Sequence, residues 1–244
     1  MSYALIIFIV GLLILIHELG HLIAAKYAKI PIARFSVGFG PRVWGFKRHV
    51  TEYWVSLIPL GGYVLPQIES EKDFLQFSTF KRVQFALGGP LANIITALLC
   101  ISALNIASSG ISLSSILIVP FSEMGGMVYQ IIAAIPALFV HPDTLSGIIG
   151  IVAVGGQYAG MDITRLLRIS ILINVNLAIF NLLPIPPLDG GKIVQYLLER
   201  IYKPLARLHI PMAVTGWIII IALMLYATIL DIDHLIIGNV CLIN

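Results

Sequence analysis

The stretch Leu15-Ile16-His17-Glu18-Leu19-Gly20-His21 constrains this chain more than any other. It lies inside an apolar run, about residues 3–28, long enough to cross a bilayer as a helix. Ionisable side chains within a span are costly and mark function more often than packing. Helical positions four apart share a face, so His17 and His21 offer two imidazoles to one point. Such a pair suits a single Zn²⁺ ion, and Glu18, beside the first histidine, is placed to take a proton from a bound water. The plainer alternative is a pair of core histidines bonded to neighbouring helices.

Composition supports the membrane reading. Mean hydropathy is +0.98, with 59% hydrophobic and 11% charged residues, where a soluble domain carries about 25% charged. The fold class implied is an all-α polytopic membrane protein of about four transmembrane helices, over roughly 3–28, 84–108, 168–188 and 211–230, in a single domain spanning 1–244. No basic leader and no small-residue cleavage site precede the polar cluster, so the first run reads as a retained helix. A net charge of +3 without a basic, aromatic-interleaved patch argues against a nucleic-acid partner. Cys100 and Cys241 are far apart and show neither disulfide nor zinc-ligand spacing.

The 15 Lys and Arg residues fall in three groups: nine between Lys26 and Arg82, Arg165 with Arg168, and four between Lys192 and Arg207. The positive-inside rule then puts 26–82 and 190–208 in the cytoplasm, and the N-terminus, a 109–165 loop and the C-terminus outside. Arg165 and Arg168 snorkel at the outer edge of the third span. The segment 34–65 is rich in β-branched and aromatic residues punctuated by Gly and Pro. It reads as a small sheet or re-entrant hairpin touching the membrane. Residues 127–140 are apolar but short and hold Pro136, so they read as an interfacial or re-entrant helix; a full span there would invert everything after it.

Catalytic zinc takes three protein ligands and keeps one position open. His49, His141, His209 and His234 fall in loops or near span ends. Asp189 stands out, following a third span that Pro184, Pro186 and Pro187 break. His17 lies about 21 Å below Tyr3 and Leu183 about 22 Å below Arg168, at 1.5 Å per helical residue, so Asp189 arrives at the level of the histidines. Alone, Asp189-Gly190 reads as a surface turn; beside the histidine pair it reads as the third ligand. Broken helix at membrane depth survives only where protein or a water-filled cavity satisfies the backbone, and hydrolysis needs such water.

His-Glu-Leu-Gly-His together with the later Asn-Leu-Leu-Pro-Ile-Pro-Pro-Leu-Asp-Gly-Gly (181–191) resembles the site-2 intramembrane metalloproteases. "RFSVGFGP", "EYWVSLIPLGGYV", "GGPLAN" and "SGIIGI" follow the bacterial regulator-of-sigma-E protease branch in the same order, over most of residues 5–200. The resemblance implies zinc held by His17, His21 and Asp189, with Glu18 as acid and base. It also implies that Asn181, Pro184, Pro186 and Asn93, the last in a second-span motif, bind substrate, and that the strands around 51–64 form a membrane-re-entrant hairpin. For Asn93 and Asn181, hydrogen bonding between helices serves equally well.

The chain departs from that branch in three places. Relatives carry PDZ domains between the second and third spans, whereas Ser109 to Pro142 leaves no room for one. No C-terminal regulatory domain is read, and Lys192 stands where relatives often carry histidine. The function implied is a zinc endopeptidase cutting single-span membrane proteins or remnant signal peptides within the bacterial cytoplasmic membrane, its site toward the cytoplasm. Tyr53 and Val55, on an exposed strand near 53–58, would pair with unwound substrate by β-augmentation. The rival is a metal-binding membrane protein without hydrolysis, a transporter or an inactive scaffold.

Overall fold

The structure is a computed structural model that describes residues 2–68, 71–140, 147–160 and 162–241; His141 and the last three residues lie outside these. Helix α1 (Ser2–Ala28) runs unbroken through the histidine pair. It stops where Lys29 takes a left-handed φ of 57°. There the Ile30 N–H donates to the Ala25 carbonyl and the Lys29 N–H to the Lys26 carbonyl, the two bonds of a Schellman ending. Pro31 then bars a further turn.

Strands β1 (Ile32–Arg48) and β2 (Thr51–Pro66) form one sheet. Both are bent in the middle: β1 at Gly38 and Gly40 (φ 88° and 87°), β2 at Gly61 (φ 106°), a conformation glycine adopts without a Cβ penalty. The halves therefore lie side by side. Residues 44–48 pair with 51–55, 52–55 pair also with 34–37, and 32–37 pair with 62–66. Val43, Trp44, Phe46, Leu57 and Ile58 leave an exposed apolar surface on this sheet.

The remaining helices are α2 (Glu71–Leu75), α3 (Thr79–Ser109), α4 (Val119–Ala134), α5 (Ala137–Val140), α6 (Ile148–Ala159), α7 (Ile163–Leu182), α8 (Asp189–Ile201) and α9 (His209–Cys241). Among the described residues, five helices are long and apolar enough to cross a membrane, one more than the four expected. The addition is Ser114–Ala134, a π-helical turn (Ser114–Ile118) running into α4. Ser112 and Ser115 start it with reciprocal hydrogen bonds, each hydroxyl accepting the other's backbone N–H at 2.9–3.0 Å. Pro120 sits in the first turn of α4, where proline is tolerated. Pro136 falls beyond the helix rather than inside it. The apolar helix thus begins well before residue 127, and the stretch 127–140 takes in only its last part.

The extra helix leaves the direction of the later helices unchanged. Helices α1 and α3 are antiparallel, with Gly20 against Gly88 and Ala92 and with Ala24 against Gly88. Gly156 of α6 packs on the Tyr3 ring and Gly155 on Ile6, so the chain has returned to the N-terminal end of α1 before α7 begins. Helix α6, about 18 Å long at 1.5 Å per residue, is too short to cross. At the opposite end Arg82 of α3 pairs with Glu199 of α8. The basic groups of 26–82 and 192–207 therefore share one face of the molecule, as their charges alone suggested.

Three clusters hold the body together. Ala97, Ile101, Met124, Ile171 and Val175 join α3, α4 and α7. Ile6, Ala159, Leu166 and Ile169 join α1, α6 and α7. Leu22, Ala25, Phe35, Phe74, Ala86 and Tyr196 knit the end of α1 to the sheet, α3 and α8. Helix α9 stands apart from the α1/α3/α7 core. It meets the proline loop at Gly216, where a Cβ would fall 2.9 Å from Pro187 Cδ, and meets α6 where Asp231 accepts the Gly150 N–H at 2.8 Å.

Candidate metal centre

The centre lies where α1, α3 and α8 converge. Glycines permit the approach: a Cβ on Gly89 would lie 2.6 Å from His17 Cε1, and one on Gly88 would lie 2.6 Å from the Ala24 Cβ. Small residues at such seams let two backbones come close. Pro90, directly after, lacks an N–H and loosens the α3 ladder at this turn. From that turn the Phe85 carbonyl accepts the His21 Nδ1–H at 2.8 Å.

That hydrogen bond fixes a tautomer. With its proton on Nδ1, neutral His21 turns the Nε2 lone pair inward. The His17 Nε2 lies 3.1 Å away. The Asp189 Oδ2 stands 3.2 Å from His17 Nε2 and 3.1 Å from His21 Nε2. Three ligand atoms thus mark a nearly equilateral triangle, and all three residues are buried. Zinc bonds of about 2.0–2.1 Å at tetrahedral angles give ligand-to-ligand edges of roughly 3.3 Å, so this triangle fits zinc.

Asp189 reaches the triangle because α8 tucks beneath the proline loop. Pro184 follows the end of α7 and imposes extended backbone on Leu183. Gly190 and Gly191 then pass against the loop, each with a would-be Cβ 2.5 Å from a backbone atom: the Leu183 carbonyl oxygen for Gly190, the Pro186 nitrogen for Gly191. The Pro186–Pro187 bond is cis. Burial disfavours the Asp189 charge, and the Lys192 ammonium, 3.1 Å from Oδ1, favours it.

Asn93 packs against this centre. It is fully buried and its amide lies 3.1 Å from His17 Nδ1. Its Oδ1 is buried without a partner. Turning the amide over would bring Oδ1 to His17 Nδ1. There it would accept the proton that nitrogen must carry when Nε2 binds a metal.

Tyr53 and Val55 are corrected as an open edge. Tyr53 pairs with Phe35 on one side and Phe46 on the other, and Val55 with Val37 and Trp44, so their backbone is enclosed within the sheet. The edge beside the centre is 62–66, which pairs only with 32–37. A Cβ on Gly62 would lie 3.3 Å from the Glu18 Cγ, placing that edge against Glu18. Asn181 is half-buried and donates to the Leu177 carbonyl of its own helix at 2.9 Å. Pro184 is exposed and Pro186 half-buried on the loop below it. His209 is buried beside Glu199, away from the triangle.

Three contributors were missed from sequence: the Phe85 carbonyl, Gly89 and Gly62. Only the Gly88-Gly89-Pro90 run inside an apolar helix signalled a close backbone approach there.

Comparison with known proteins agrees. A zinc metalloprotease predicted in Clostridium acetobutylicum is 38% identical over 113 residues, 43% of this chain and 32% of that protein. One predicted in Chlamydia pneumoniae is 40% identical over 113 residues, 38% of this chain and 18% of that protein. These matches span a third or less of either relative's length. A predicted zinc metalloprotease of Campylobacter jejuni aligns over 341 positions at 26% identity, covering 94% of this chain and 93% of that protein. That alignment exceeds the 244 residues here, so the Campylobacter protein carries segments without a counterpart. The model of peptidase family M50 matches residues 5–225, and with the match running from the histidine pair through Asp189 and into α9, the chain belongs to that family, the site-2 proteases.

Proposed function

We propose that this chain is an intramembrane zinc endopeptidase that hydrolyses a peptide bond within or near the transmembrane segment of single-span proteins or remnant signal peptides. The observation that carries the reading is the triangle of His17 Nε2, His21 Nε2 and Asp189 Oδ2, with edges of 3.1–3.2 Å, its two histidines on a helix long enough to cross a membrane. His17, His21 and Asp189 would hold the zinc, which when bound supplies Lewis acidity toward water and the scissile carbonyl. The Glu18 carboxylate takes the proton of the attacking water and returns it to the leaving amine. Asn93 and the Phe85 carbonyl keep the two imidazoles aimed.

A helical peptide bond is shielded by its own turn, so the substrate must be extended at the site. The 62–66 edge, beside Glu18, offers the unpaired backbone groups that would hold it so. Asn181, at the end of α7, with Pro184 and Pro186 on the loop after it, would line the other side of the approach. The face shared by the two basic segments belongs in the cytoplasm by the positive-inside rule, which sets the centre toward the cytoplasmic side of a bacterial inner membrane.

Glu18→Gln tests the chemistry. Glutamine keeps the shape and removes the base, so cleavage of a single-span substrate in liposomes should fall by about 10² or more, while zinc content and melting temperature hold. Cleavage at the wild-type rate would remove Glu18 from the mechanism. Loss of zinc would make it structural.

A further inference from the structure

The two oxygens of Asp189 have different partners. Oδ2 faces both imidazole nitrogens, at 3.2 and 3.1 Å. Oδ1 accepts from the Lys192 ammonium at 3.1 Å. The lysine sits one turn further along α8, on the same face, and its backbone N–H is tied to the Leu188 carbonyl at 3.0 Å. Its side chain is 44% exposed while that of Asp189 is 6% exposed. The ammonium therefore keeps part of its hydration and reaches inward with one hydrogen bond. This is not a surface ion pair, because its acidic member is buried among the candidate ligands.

Carboxylates bind cations through one oxygen or through both. An Asp189 with both oxygens free could close on the metal through two and fill the position that water and substrate need. We propose that Lys192 is a positioning residue that holds Oδ1 back, so that Asp189 binds through Oδ2 alone and the fourth coordination position stays open. The proposal rests on the zinc reading of the site. It also accounts for the lysine: a cation so near a metal weakens metal binding by repulsion and by competing for the carboxylate, so its gain lies in coordination geometry rather than affinity. A purely structural ion pair would act in the opposite sense, its loss loosening Asp189 and weakening the metal.

The test uses the full chain loaded with Co²⁺ or Zn²⁺, comparing wild type with Lys192→Met and Lys192→Arg. Three readings are taken: coordination number by X-ray absorption, metal retention against a chelator, and cleavage. In Lys192→Met the coordination number should rise and the metal should be held at least as tightly, while cleavage falls about tenfold, in the range for groups next to metal ligands. Lys192→Arg should restore the lower coordination number. An unchanged coordination number in Lys192→Met, or metal lost more readily, would overturn the proposal. If wild type and His21→Ala took up metal equally, the ligand set itself would fail, a result distinct from the failure of Lys192.

Discussion

Two carboxylates stand at opposite ends of α8 and are met differently. Glu199, near the C-terminal end, is met by the Arg82 guanidinium through two nitrogens. The arginine also donates to the Phe77 carbonyl at 3.1 Å and lies 4.9 Å from the Tyr196 ring centroid. Charge and hydrogen-bonding capacity are matched by protein alone. Asp189, at the other end, meets imidazole nitrogens whose lone pairs converge with its own oxygen on one point. That cluster becomes complete only with a cation. The first ties α8 to α3 as structure; the second is left open for chemistry.

His21→Ala should break the second cluster outright. Zinc per chain, measured by elemental analysis, should drop from near one to near none, and a zinc content equal to wild type would refute the ligand set. Arg82→Met should break the first. Taking the guanidinium from the largely buried Glu199 should cost up to about 3–5 kcal/mol, read as a lowered unfolding midpoint in detergent, and Arg82→Met with Glu199→Leu should recover most of it. Equal stability of the single variant and wild type would mean that the pair anchors nothing. Asn93→Ala should weaken zinc about 10- to 100-fold with the fold retained, since it removes the partner of His17 Nδ1; unchanged chelator competition would detach Asn93 from the metal. Arg34→Gln is the contrast. Its pair with Glu52, at 3.4 Å and about a third exposed on both sides, should change stability by less than about 1 kcal/mol.

The triangle was legible because its parts carry local signatures. A four-residue spacing puts His17 and His21 on one face in any helix, and a proline-broken span points to where Asp189 arrives. The second-layer partners were not legible in the same way. Asn93 is an ordinary helical asparagine until α3 lies against α1, and its hydrogen bond to His17 spans 76 positions of sequence. Tyr53 and Val55 alternate like an edge strand, but strand neighbours depend on where Gly38, Gly40 and Gly61 bend the chain. The fifth long helix was obscured by Pro136, which reads as a break inside 127–140 and lies beyond the helix end once the start at Ser114 is known.

The sequence by itself determined the membrane character, the grouping of positive charge, the two imidazoles and the neighbouring carboxylate, because hydropathy, charge and helical spacing act within a few residues or sum along the chain. Only the tertiary structure decided which sheet edge lies against Glu18, which nitrogen of each histidine faces inward, and which oxygen of Asp189 remains for Lys192. Those outcomes depend on approaches of about 3 Å between elements far apart in the chain, and distance along a sequence carries no such information.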